Sequence, residues 1–376
     1  MKYVKASILY DGQTTLHDKY ILFDDKITAI EDKKPSNAEF LGEGIVTPAF
    51  IDSHSHIGMV RSGEPSAEDE SNEQMENLFP LVRAIDSVYM DDSAFKESVE
   101  CGVLYSTVLP GSGNTLGGRA SLIRNFKSNI SDAFVMDIGI KMALGYNPRS
   151  TTAWKGTRPS TRMGAAALLR QSLYSAQKAL NLMKKDIKDI DEIEPLTEVF
   201  IDILQGKYKL MVHTHKEDDA ELLISLKKEF NLKVVLNHGM DLHNIAAFNR
   251  IKENGIPIVY GPMDSLAYKV ELKHESWRNV EFLMKSGVKF SMMSDHPVIL
   301  QRNIFLTMRH FLRFGMEKAE AISKLTSEAA DILGVSNLGS IKPGFIPSMV
   351  LWNGDPFSMT SHPVRVIAEG SVVYDE

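Results

Sequence analysis

Two textures of hydrophobic patterning divide the chain. From Tyr3 to Val46, short β-type runs (Val4–Leu9, Tyr20–Phe23, Ile27–Ile30) are separated by polar turn clusters such as Asp11-Gly12 and Asp24-Asp25, a pattern that predicts hairpins. The same texture returns in Met349–Trp352, Val364–Ala368 and Val372–Tyr374. Between these ends, apolar runs of strand length alternate with helical periodicity: Phe50–His56, Val103–Leu109, Ala120–Ile123, Val135–Leu144, Leu210–His215, Val234–His238, Ile256–Tyr260 and Phe290–Asp295. Eight such runs predict an α/β fold, a distorted (β/α)₈ TIM barrel. Residues 48–337 are therefore assigned to the barrel, and 1–47 with 338–376 to one small, discontinuous β-sandwich. Helices are plainest over Gly164–Lys185, with Ser160 or Thr161 as N-cap, and over Glu317–Leu333, where Ala319, Ile322, Leu325, Ala329 and Ile332 recur at helical spacing.

Composition narrows the function. With 376 residues, 43% of them hydrophobic, the chain has material for a large core. A formal net charge of -7 leaves no broad basic surface for nucleic acid or anionic lipid. Cys101 is the single cysteine, so neither an intramolecular disulfide nor a cysteine-based zinc cluster can form. The amino terminus lacks the apolar core of a signal peptide, and no apolar stretch is long enough to span a bilayer. The expectation is a cytoplasmic protein acting on a small molecule, with neither nucleic acid nor membrane as partner; self-association is left open.

Candidate chemistry gathers at the carboxyl ends of the expected strands. His54 and His56 end the first, and the period of two in a strand turns both imidazoles to one side. His213 and His215 end the fifth, His238 ends the sixth, and Asp295 closes the eighth. In a (β/α)₈ barrel these ends converge on one face. Imidazole nitrogens with a carboxylate oxygen suit zinc or another first-row divalent ion. A His-x-His pair alone is equally a surface or structural feature; its place in the larger pattern favours the metal.

The segments TPAFIDSHSH, MVHTHKED, VVLNHG, MMSDHP and GSIKPGFIPSMVLW resemble the amidohydrolase superfamily over nearly the whole chain. LPGSGNTLGGRASLIR, IKMALGYNPR and PSTRMG are similar to a group related to imidazolonepropionase. The resemblance implies metal ligation by His54, His56, His213 and Asp295, with His215 as a rival to His213. It also implies that His238 binds metal or substrate and takes part in catalysis, and that Asp295 doubles as general base. The implied reaction is attack of metal-bound hydroxide on a carbonyl carbon, with Asp295 moving the proton to the leaving nitrogen of an amide or cyclic amide.

Departures from the family pattern qualify this reading. Tyr146 stands where relatives carry a glutamate, so one carboxylate ligand is missing. Lys141 on the fourth strand is carbamylated in some branches of the superfamily, where it bridges two metals; the favoured expectation is an unmodified lysine and one zinc ion, with two ions as the alternative. Lys216, three residues after His213, replaces a glutamate common in ring-opening and deaminating relatives, which keeps a dipeptidase or N-acyl amino acid hydrolase open. Arg162 and Tyr146 are candidates for substrate binding; a surface salt bridge is the competing reading of Arg162. His17, His243, His274, His310 and His362 fall outside the strand-end pattern and read as surface or polar-core residues. The cluster Gly111, Gly113, Gly117 and Gly118 lacks the spacing of a nucleotide loop and suits a loop at the barrel mouth. A non-catalytic barrel that binds metal without turnover is the rival class.

Overall fold

The computed structural model describes residues 1–150 and 158–376. Its first four strands, β1 (Lys2–Tyr10), β2 (Thr15–Phe23), β3 (Ile27–Glu31) and β4 (Glu39–Pro48), precede the eight strands of the barrel. Those are β5 (Phe50–Ser55), β6 (Val103–Val108), β7 (Leu116–Arg124), β8 (Phe134–Ala143), β9 (Lys209–Thr214), β10 (Val234–His238), β11 (Ile258–Tyr260) and β12 (Phe290–Met292). The chain returns through β13 (Met349–Trp352), β14 (Pro363–Ala368) and β15 (Ser371–Asp375).

The two chain ends share one seven-stranded sheet in the order β15-β14-β13-β4-β1-β2-β3. Its buried face is built from alternate apolar residues, among them Val4, Ala6, Ile21, Phe23, Met349, Leu351 and Ile367. The strand β4, which joins the two ends, was hidden by its glycines. A Cβ on Gly44 would stand 2.7 Å from the Trp352 carbonyl oxygen, so only glycine lets β13 approach that closely.

The second sheet runs β5 to β12 in sequence order. β5 and β6 are buried on both faces, as expected for barrel strands covered outside by helices. One strand departs from the expected parallel barrel: β7 is antiparallel to both β6 and β8. The reason lies in the connection, because only residues 109–115 separate β6 from β7. A parallel return needs a crossover of roughly a dozen residues or more. The turn therefore places the start of β7, not its end, at the face where β5 and β6 finish.

Closure between β5 and β12 is carried by bonds just beyond the short last strand. Asp295 N–H donates to the His54 carbonyl at 3.1 Å, and His56 N–H donates to the His296 carbonyl at 3.1 Å. Asp52, fully buried, accepts from the Ser294 backbone N–H at 3.1 Å, the Gln301 amide at 2.7 Å and the Ser294 hydroxyl. Burial pushes its carboxyl up to about 6 even though these donors favour the anion. First and eighth strands are thus locked together at the level where their candidate ligands emerge.

The long helix runs Arg162–Met183, with Thr161 Oγ1 capping it by accepting from Gly164 N–H at 3.1 Å. The single helix expected over Glu317–Leu333 is two, Lys318–Ser323 and Ser327–Leu333. Thr326, at φ -132° and ψ -96°, leaves helical geometry between them. The apolar spacing persists across the break, which is why the pattern reads as one helix. Among the described residues, no helix is long and apolar enough to cross a membrane.

Candidate metal centre

The candidate residues come together where the strands end. Asp295 Oδ1 lies 3.2 Å from His54 Nε2 and 3.1 Å from His56 Nε2. Ligand atoms of His54, His238 and Asp295 fall within 4.8 Å of one another, as do those of His213, His215 and His238. His238 is common to both groups. Two of these residues sit in left-handed backbone geometry, His238 at φ 81° and Asp295 at φ 51°. Such a conformation is uncommon outside glycine and costs on the order of 1–3 kcal/mol, so surrounding contacts must hold it. For Asp295 they are the closure bonds from its own N–H and from Ser294.

Hydrogen bonds behind the rings fix which nitrogen is available. His56 Nδ1 lies 2.7 Å from the Leu109 carbonyl oxygen and must donate to it; His238 Nδ1 does the same to the Gly261 carbonyl at 3.0 Å. In the neutral ring each Nε2 is then a bare lone pair. The His56 Nε2 faces the Asp295 carboxylate, and the His238 Nε2 is buried with no partner. The Asn237 amide stands 2.7 Å from His54 Nδ1 while its Oδ1 is buried without a partner. Turned over, that oxygen accepts Nδ1–H and frees His54 Nε2 in the same way.

Electrostatics give the protonation states a cation requires. Burial drives His54, His215 and His238 well below the ordinary imidazole range and lowers His213 as well, so they are neutral. Burial alone would raise the Asp295 carboxyl, but the imidazoles of His54, His56 and His238 around it outweigh burial and hold the group well below the usual carboxylate range. A carboxylate oxygen pressed against imidazole lone pairs is unfavourable unless a cation lies between them. Zinc bonds of about 2.0–2.1 Å in a tetrahedron separate neighbouring ligand atoms by roughly 3.3–3.4 Å, close to the spacings from Asp295 to His54 and His56. Nitrogen and oxygen donors of this kind fit a first-row divalent ion.

Lys141 is fully buried, with Nζ 3.2 Å from His54 Nε2, and burial brings its amine down to about 7. His213 turns Nε2 toward Glu271 Oε1, at 3.1 Å, and His215 Nε2 lies 3.9 Å from the same oxygen. Arg162 Nε forms an ion pair with Asp219 Oδ1 at 2.6 Å. The Tyr146 ring is partly exposed; its contribution to the site is its backbone N–H, which donates to Glu271 Oε2 at 2.9 Å.

Glu271 escaped the sequence reading. It arrives from a short helical turn, Val270–Leu272, between β11 and β12, where no strand alternation marks an inward-facing position. The side chain is 2% exposed and pairs with Lys269 Nζ at 3.1 Å. Asn147, with its amide oriented to satisfy both sides, donates to Glu271 Oε1 at 3.3 Å and accepts from Lys269 Nζ at 3.2 Å. Burial opposes the charge on Glu271, but His213, His215 and Lys269 more than offset it and lower the carboxyl far below its usual range. Gly145, at φ 84°, makes room for it: a Cβ there would lie 2.8 Å from Glu271 Oε2.

The barrel gathers histidines and Asp295 at its strand ends, a donor set suited to a divalent ion. Comparison with known proteins is specific: the amidohydrolase family model matches residues 202–373. The amidohydrolase tasK of Hapsidospora irregularis is 26% identical over 93% of this chain, which spans 39% of that relative's length. The crystal structure of an amidohydrolase from Thermotoga maritima MSB8 superposes over 100% of both chains, with a TM-score of 0.92 and 29% identity. The zinc complex of atrazine chlorohydrolase from Arthrobacter aurescens TC1 shares the fold, with a TM-score of 0.56 at 15% identity over 100% of this chain and 95% of that one. These likenesses, spread over nearly the whole chain, support an amidohydrolase relationship.

Proposed function

We propose that the protein is a metal-dependent hydrolase that cleaves a C–N bond, an amide or cyclic amide, in a small polar substrate. The observation that carries this reading is the contact of Asp295 Oδ1 with both His54 Nε2 and His56 Nε2, at 3.2 and 3.1 Å, an arrangement that calls for a cation. One divalent ion, zinc by its donor set, would be held by His54, His56 and Asp295, with His238 completing the group. His213 and His215, beside Glu271, offer a second and weaker position. When bound, the ion would acidify a water molecule and polarise the substrate carbonyl.

The chain's own residues supply the remainder. Asp295, ionised and fixed in place, accepts a proton from water and passes it to the leaving nitrogen, which would otherwise depart as an unstable amide anion. His238, neutral and with Nε2 unpartnered, receives a hydrogen bond or a ligand at the centre of the cluster. Lys141, tuned to about 7, can present a neutral amine; as a carbamate it would provide the anion that two adjacent cations require. Ring opening of the imidazolonepropionase kind is one instance of this chemistry. A second reading, a dipeptidase or N-acyl amino acid hydrolase, rests on the half-exposed Arg162, whose guanidinium would have to turn from Asp219 to a substrate carboxylate.

The test is a panel of cyclic amides, N-acyl amino acids and dipeptides offered to the chelated and the zinc-reloaded protein. The proposal expects zinc-dependent release of a new amine and carboxylate from one class. No turnover of any class by fully loaded protein would favour a barrel that binds metal without catalysis.

A further inference from the structure

Three residues unused by this chemistry meet on the loops that follow β10 and β11. Asp241 and His243 lie just after His238, and His274 lies three residues after Glu271. One ligand atom from each falls within 4.8 Å of the others. The rings of His243 and His274 stack with centroids 4.2 Å apart and 28° between their planes.

Each ring is anchored through Nδ1. His243 Nδ1 donates to the Asp241 backbone carbonyl at 2.9 Å, and His274 Nδ1 lies 3.3 Å from Asp241 Oδ2. The His274 backbone N–H is held by Asp241 Oδ1 as well. A carbonyl behind one imidazole and a carboxylate behind the other leave both Nε2 lone pairs bare, the outer arrangement that orients histidines on a metal. The Asp241 side chain is 3% exposed, so its carboxylate is fixed. Glu275, next along the chain, has a buried Oε2 without a partner and lies close enough to Asp241 to feel its charge.

We propose that His243 and His274, oriented from behind by Asp241 and with Glu275 as a further oxygen donor, form a second site that binds a zinc-class divalent cation. Its residues are distinct from those of the proposed hydrolytic centre, and it stands whether or not that centre is catalytic. A cation there would tie the loop after β10 to the segment after β11. These are the segments that present His238 and Glu271, so occupancy would steady both.

The test counts zinc in protein stripped with chelator and then dialysed against micromolar free zinc. The parent, a His54→Ala/His56→Ala variant and a His243→Gln/His274→Gln variant are compared, with melting temperatures of the stripped proteins as the check on folding. The glutamine variant should hold one equivalent less than the parent, while the alanine variant keeps that equivalent. Anomalous scattering at the zinc edge should place the ion between His243 and His274 in both the parent and the alanine variant. A single His243→Gln change gives the same readout if the double variant folds poorly. Equal zinc in the parent and the glutamine variants, or no anomalous density between the two rings, would overturn the proposal.

Discussion

Glu271 Oε2 accepts a hydrogen bond from the Tyr146 N–H at 2.9 Å, so a carboxylate carried by the loop after the seventh barrel strand reaches the end of the fourth. It supplies negative charge beside a position where the chain itself carries a tyrosine. Its other oxygen contacts His213 and Lys269, both within 3.1 Å.

Glu271→Gln should therefore act on both stability and metal affinity. Removing one partner of a buried ion pair typically costs about 3–5 kcal/mol, and urea unfolding of the stripped protein should approach the lower end because Lys269 keeps some access to water. Outer-shell losses weaken metal binding by about 10–100-fold. A chelator competition should find that loss at the weaker position, near His213 and His215, and little change at His54 and His56.

Asp295→Asn should preserve the barrel, since the closing bond from residue 295 to the His54 carbonyl uses the backbone N–H. The amide cannot take a proton from water. Turnover of the substrate found in the panel should fall by about 10²–10⁴-fold, with circular dichroism unchanged. Near-parental turnover would remove Asp295 from the role of base.

Glu275 gives a pH signature. Burial and the charge of Asp241 push its carboxyl up from 4.5 to about 7 in the folded protein. A carboxyl raised on folding contributes stability that is fully present below its unfolded value and lost as pH rises through its folded one. Glu275→Gln lacks this dependence. Melting of the metal-free proteins should show the variant gaining on the parent between about pH 4.5 and 7 and holding that advantage above, whereas a constant difference across the range would refute the assignment.

What could be read in advance follows from periodicity. His54, His56, His213 and His238 end strands whose apolar runs are clear in the sequence, so their convergence follows from the barrel. Asp295 lies beyond the last residue of β12, Met292, and reaches the site because Ser294 is held by Asp52 and the chain turns at positive φ. The direction of β7 was not legible, because an apolar run carries no polarity and the deciding quantity was the length of the preceding loop. Glu271 was invisible for a different reason: its burial depends on Gly145 and the cations around it, all distant in sequence. His243 and His274 read as ordinary polar residues until the fold brought them against Asp241.

The central claim is that His54, His56 and Asp295 hold a divalent cation. Anomalous diffraction from crystals of the zinc-reloaded protein tests it most directly. The account predicts a peak about 2.0–2.2 Å from His54 Nε2, His56 Nε2 and an Asp295 oxygen, absent in crystals of the His54→Ala/His56→Ala variant. Fully loaded crystals with no peak among these three residues, or with the same peak in the variant, would contradict it.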